Sequence, residues 1–255
     1  MSIQHKKLKG NLQLEFHNFY IPQLERHRDI RVLLPSDYFS ATDRRFPVIY
    51  MQDGQNLFEP ETSFGGRDWQ IPRTMARLPK KYQAIIVGID NGGVDRMDEY
   101  APILRGHHGG QGERYVKFIF ETLKPFIDGH YRTLPQREMT GIAGSSMGGL
   151  ISFYAGLQFG HIFGKVGVLS PSLWFNPQLL HTAEQHSGEK SQFYVLGSKL
   201  ESRTMDKHLH QIFDAMRKGG FSEHHNLRVT VRDKGRHNEV FWGREFEKMI
   251  RYFFD

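Results

Sequence analysis

The 255-residue sequence contains no cysteine. That excludes a disulfide framework, a thiolate metal site and a cysteine nucleophile. Long apolar runs are missing as well. Nowhere does the chain reach the roughly 20 consecutive apolar residues that a membrane-spanning helix requires, so no membrane partner is expected. Internal repeats and linker-like segments are also lacking, and the 26 glycines and 11 prolines follow no period. Fibrous and repeat architectures are thereby excluded. Acidic residues are the minority, 28 against 34 lysines and arginines, for a net charge of +6. That excess is scattered along the chain. Its densest run, Lys6, Lys7 and Lys9, is expected at a frayed terminus. No recognisable nucleic-acid module accompanies it, so nucleic acid is not an expected partner. Residues 1–14 lack the apolar centre of a secretory signal, and a cytoplasmic location is the expectation.

What is present suits a packed globule, with 38% hydrophobic and 13% aromatic residues in a length typical of one domain, here 1–255. Short apolar runs at residues 12–19, 31–34, 48–51, 84–89, 139–143, 166–169, 193–196 and 227–231 read as strands. Helical spacing of apolar residues marks 115–127, 150–159, 205–216 and 239–253, with Pro125 expected to bend or shorten the first. Near-continuous apolar strands alternating with helices predict an α/β fold. Its sheet would be mostly parallel, of about eight strands, with helices on both faces.

The sharpest motif is Gly144-Ser145-Ser146-Met147-Gly148-Gly149, between a predicted strand and a predicted helix. Gly-x-Ser-x-Gly in that setting is a nucleophile elbow, in which small residues two before and two after the serine permit the tight turn. A serine hydroxyl needs a base to remove its proton, and the elbow architecture orders the partners serine, acid, histidine. His237 alone among the later histidines follows the last strand and precedes the final helix. The acid belongs after the strand at 193–196, where Glu201 is preferred and Asp206 is the alternative. Its work would be to orient the imidazole and stabilise the imidazolium. An oxyanion hole needs two backbone N–H groups, expected from Met147 and, in the loop Asp53-Gly54-Gln55-Asn56, from Gln55. Arg96 and Trp174 are candidate substrate contacts, Arg96 also as an ion-pair partner of Glu99. Adjacent His107 and His108 lack carboxylates at ligand spacing, and neither metal nor organic cofactor is expected.

These residues resemble the putative esterase family of α/β-hydrolases, which includes enterochelin, feruloyl and acetylxylan esterases, S-formylglutathione hydrolases and mycolyltransferases. The resemblance rests on residues 48–58, on Asp90-Asn91-Gly92 through Arg96 to Glu99-Tyr100, and on the Ser146 elbow. Ser170-Pro171-Ser172-Leu173-Trp174 and His237-Asn238-Glu239 with Trp242 extend it. It is nearest to the siderophore-esterase-like branch. By resemblance, Ser146 is the nucleophile, His237 the base, and Gln55 and Met147 the oxyanion donors. The branch's acid follows a Gly-Thr-Lys-Glu-like string, whereas here Leu200 separates Lys199 from Glu201. The expected activity is hydrolysis of a small-molecule carboxylic ester, of aromatic or siderophore type, through an acyl-enzyme. An acyltransferase on the same triad and an inactive binding protein of the same fold are the alternatives. Oligomeric state is not legible.

Overall fold

In the computed structural model, which describes residues 2–8 and 11–255, nine strands form one sheet. They are β1 (Ser2–Leu8), β2 (Asn11–Ile21), β3 (Arg26–Leu33), β4 (Val48–Gln52) and β5 (Ile85–Ile89). β6 (Thr140–Ser145), β7 (Lys165–Leu169), β8 (Gln192–Ser198) and β9 (Leu227–Arg232) complete it. The spatial order is β1-β2-β3-β5-β4-β6-β7-β8-β9. The pairings from β1 to β5 are antiparallel, and every pairing from β5 onward to β9 is parallel.

Among the described residues, eight α-helices flank the strands: α1 (Ile71–Arg77), α2 (Arg96–Glu99), α3 (Gly112–Lys117), α4 (Lys124–His130), α5 (Met147–Gln158), α6 (Leu179–Glu184), α7 (Met205–Lys218) and α8 (Glu239–Phe254). Because successive strand residues point to opposite faces, β4 divides its side chains between two cores. Val48 and Tyr50 pack with Leu150, Phe153 and Leu209 from α5 and α7 on one face. Ile49 and Met51 pack with Met75, Phe246 and Ile250 from α1 and α8 on the other. Coverage on both faces is why β4 and β5 are apolar along nearly their whole length. Each fully buried large apolar side chain contributes about 1.5–3 kcal/mol.

The structure revises several local expectations. Lys6 and Lys7 belong to β1, which pairs with β2 at the sheet edge, and Lys9 lies outside the described residues. β3 begins at Arg26, earlier than its apolar run, since its polar start still finds a backbone ladder on β2. Pro125 does not shorten its helix. It occupies the first turn of α4, where a missing N–H costs little, and a π-helical turn at Phe118–Leu123 absorbs the mismatch with α3. The elbow helix α5 starts at Met147, ahead of the apolar spacing that marks 150–159. Among the described residues, no helix is long and apolar enough to cross a membrane.

The topology brings the predicted site loops together. β4 and β6 are neighbours, so the loop beginning at Asp53 lies beside Ser146 at the carboxyl end of the sheet. β8 and β9 are also neighbours, which sets the segment after Ser198 beside the loop leading to His237. Ligand sites of open α/β sheets gather at this end.

Candidate active site

Ser146 sits at φ 58° and ψ −121°, a region that side chains other than glycine rarely adopt. Such a residue costs about 1–3 kcal/mol and persists only where its surroundings over-determine it. Here the Ser146 N–H donates to the Leu169 carbonyl (3.0 Å), and the Ser146 carbonyl accepts from the Ser172 N–H (3.0 Å). A Cβ on Gly144 would lie 2.7 Å from the Gly148 backbone, so the turn closes only with glycine there. Met147 is the first residue of α5, and the opening amides of a helix have no partner within it.

The hydroxyl that this turn presents is 3.0 Å from His237 Nε2, and His237 Nδ1 is 2.7 Å from Glu201 Oε2. The Glu201 side chain is 0% exposed and that of His237 is 38% exposed. The chain of contacts therefore runs from a buried carboxylate out to an accessible serine. Ser198 N–H donates to Glu201 Oε1 (2.6 Å), leaving Oε2 for the imidazole. Leu200, the residue inserted before Glu201, is 64% exposed at the tip of this turn, so the insertion bulges outward. Asp206 is turned elsewhere, toward His210 one helical turn along α7 (3.4 Å). His237 is braced from two sides. Asn238 caps α8 by accepting from the Phe241 N–H (3.1 Å), which sets the direction of the chain one residue later. Trp242 meets the imidazole edge to face at 4.9 Å, and its indole N–H donates to Ser170 Oγ (2.8 Å).

Opposite this relay stands the loop after β4. Asp53, at φ 55°, receives a two-pronged contact from Arg96, with Nε to Oδ1 at 2.7 Å and Nη2 to Oδ2 at 2.9 Å. Asn91 Nδ2 also donates to Asp53 Oδ1 (2.7 Å), and Asp53 N–H donates to the Tyr100 hydroxyl (3.1 Å). Gln55 Oε1 accepts from the Asn91 N–H (3.1 Å), which ties down that side chain and fixes the backbone carrying the Gln55 amide. Burial opposes the charge on Arg96, yet Asp53 holds its pKa above the ordinary arginine value. Burial likewise raises the Tyr100 hydroxyl, which stays protonated. Arg96 thus lines the cavity but spends its guanidinium on Asp53. It is not the partner of Glu99, which accepts instead from Arg26 (2.8 Å) and Arg28 (2.5 Å).

A cavity of about 810 Å³ opens above these groups, lined among others by Ser146, His237, Gln55, Phe64, Glu239 and Trp242. Glu239, at the start of α8, has its carboxyl pKa raised by burial, and Asp53 adds to the rise. Trp174 is not in that lining. It is 54% exposed and lies against Arg105 and Phe175. His108 lies 3.5 Å from Asp98, and no cluster of three metal-capable side chains occurs among the described residues. The bracing by Trp242 and the clamp on Asp53 escaped the sequence reading. The aspartate and its arginine are 43 residues apart, and only their shared nearness to conspicuous motifs hinted at a link.

A hydroxyl hydrogen-bonded to an imidazole that is itself held by a carboxylate is the arrangement that nucleophilic acyl transfer requires. Comparisons with known proteins give the fold and the family. An uncharacterised protein of Bacillus subtilis, YbbA, is 26% identical over 243 residues, covering 89% of this chain and 93% of its own. A ferulic acid esterase of known structure superposes with a TM-score of 0.73 at 18% identity, covering 100% of this chain and 99% of that one. The enterobactin esterase FES of Shigella flexneri, solved with enterobactin, gives 0.70 at 18% identity, covering 99% of this chain and 59% of that one. At such identities the superpositions establish a shared α/β-hydrolase fold. The model of the family described as putative esterase matches residues 21–253, and the chain belongs to that family of carboxylic ester hydrolases.

Proposed function

We propose that the protein is a serine esterase that works through an acyl-enzyme on Ser146. His237 Nε2 takes the hydroxyl proton as Oγ bonds to the ester carbonyl carbon. The carbonyl electrons move to oxygen, where the Met147 and Gln55 amides receive the negative charge. Each such donor is typically worth about 10²- to 10³-fold in rate. Collapse of this intermediate breaks the bond to the alcohol oxygen, which leaves with the proton returned by the imidazolium. Water then repeats the sequence and frees the acid. Glu201 holds the imidazole so that Nε2 faces the serine. One observation carries this reading: the unbroken relay of 3.0 Å and 2.7 Å from Ser146 through His237 to Glu201.

Small-molecule esters with an aromatic part are the favoured substrates. Trp242 and the 80% exposed Phe64 are aromatic members of the cavity lining, and the similar proteins named above are a ferulic acid and an enterobactin esterase. The access of solvent to His237 favours water over a second alcohol as acyl acceptor. Fluorophosphonate labelling read by intact mass, beside para-nitrophenyl butyrate turnover, tests the nucleophile. The wild type is expected to gain one label and turn over, and Ser146→Ala to do neither, with a rate loss of about 10⁴-fold or more. A folded wild type that takes no label overturns the proposal.

A further inference from the structure

A second concavity, of about 680 Å³, adjoins the catalytic one and shares Arg67, Asn238 and Val240 with it. Its lining is basic. Lys234 and Arg236 come from the loop that carries His237, Arg244 from the outer face of α8, and Arg67 from the far rim. Among the described residues these four cations have no carboxylate partner, and all four are exposed. The carboxylate that faces them, Glu245, is already held by Arg232 (2.7 Å) and by Lys248 (2.8 Å). Surfaces normally intersperse charges of both signs. Four unpaired like charges around one hollow repel one another, and a bound anion would relieve that repulsion.

Their place relative to the reaction says which part of a substrate they meet. The departing alcohol oxygen must lie within hydrogen-bond reach of His237 Nε2 to collect its proton. An alcohol that runs from there along the His237 loop, across the Asn238 and Val240 that the two concavities share, meets Lys234 and Arg236. That loop lies close on α8, since a Cβ on Gly235 would come within 2.5 Å of the Phe241 ring. We infer that this groove is an alcohol-side subsite for an anionic group, so that the preferred esters carry a carboxylate on their alcohol part. The inference rests on the serine-esterase reading and specifies its substrate class.

Two matched ester pairs test it. meta-Acetoxybenzoate and its methyl ester differ only in a carboxylate on the alcohol side. Phenyl hydrogen succinate and its methyl ester differ by the same group on the acyl side. In the wild type, kcat/KM for the first pair should favour the anion by about tenfold, the contribution of one charge-assisted contact. Added salt should erode that preference. Lys234→Ala and Arg244→Ala should each lower the ratio, and together they should bring it to about one. The acyl-side ratio should not change in any variant. The neutral ester of each pair is the internal reference for folding and for the position of His237. A wild-type ratio near one, a ratio indifferent to both substitutions, or a parallel change in the acyl-side pair overturns the subsite. Neutral-ester turnover that survives Ser146→Ala overturns the esterase mechanism instead, so the two failures are separate.

Discussion

The two walls of the catalytic cavity are built on opposite plans. On one side, Ser146, His237 and Glu201 form a linear chain with one contact per link, open to solvent at the serine end. On the other, Asp53 alone gathers Arg96, Asn91 and the Tyr100 hydroxyl, and Gln55 is tied to the same Asn91. On the proposed mechanism the chain must stay accessible, because its members would exchange protons with substrate and water. The cross-linked wall has no proton to move. On the proposed mechanism, its task is to keep a loop in a left-handed turn at Asp53 so that a backbone amide faces the developing charge. Substitutions in the first wall should therefore act on rate, and those in the second on rate and stability together.

The largest effect that separates the walls is expected from Glu201→Gln. It preserves volume but removes the charge that stabilises the imidazolium, and kcat should fall about 10²- to 10⁴-fold. Thermal melting of the same sample checks the contrast, since Tm should move little. Arg96→Ala is expected to lie next. It leaves the buried Asp53 carboxylate without its cation, held only by the Asn91 amide, and should lower unfolding free energy by about 2–3 kcal/mol, below the 3–5 typical of deeply buried pairs because Arg96 is partly exposed. The loosened loop should also cost about 10- to 100-fold in kcat. Arg96→Lys should restore little, since a single ammonium cannot reproduce the two-pronged contact. Urea unfolding and steady-state kinetics on one preparation separate these terms. An unchanged kcat beside lost stability would confine the Asp53–Arg96 pair to a structural role.

The smallest effect lies where the walls meet, at Glu239. Burial raises its carboxyl pKa above the unfolded value, so the folded state holds the proton more tightly. Stability on its account is lost as pH rises through that interval. Glu239→Gln should accordingly raise Tm slightly at about pH 8, with the gain shrinking toward about pH 4, where both states are protonated. A gain that persists undiminished in acid would show that the carboxylate charge is not the cause.

Much of the relay was legible because its signals are local. An elbow is a strand, a glycine-framed serine and a helix in immediate succession, and His237 is marked by its position between the last strand and the last helix. The acid was only narrowed to two. Glu201 and Asp206 are five residues apart, and what separates them is the direction each side chain takes. The turn at Ser198 aims the first at His237, whereas α7 carries the second toward His210. Trp174 shows the limit of composition-based reasoning. A tryptophan after a strand reads as a pocket wall or as core, yet here it rests on the surface against Arg105. Likewise Arg96 and Glu99, three residues apart and of opposite charge, invite pairing with each other. The fold offers each a nearer partner from a distant strand or loop.

By itself, then, the sequence determined the strand-and-helix alternation, the doubly covered sheet and the candidate serine and histidine that the structure brings within 3.0 Å. Periodicity, glycine spacing and element order are properties of neighbouring residues. Only the tertiary structure decided which carboxylate meets the imidazole, that Asp53 clamps the loop beside Ser146, and that four cations gather beside His237. Those relations join residues brought together by sheet order and loop direction, and the distances that define them do not exist until the chain has packed.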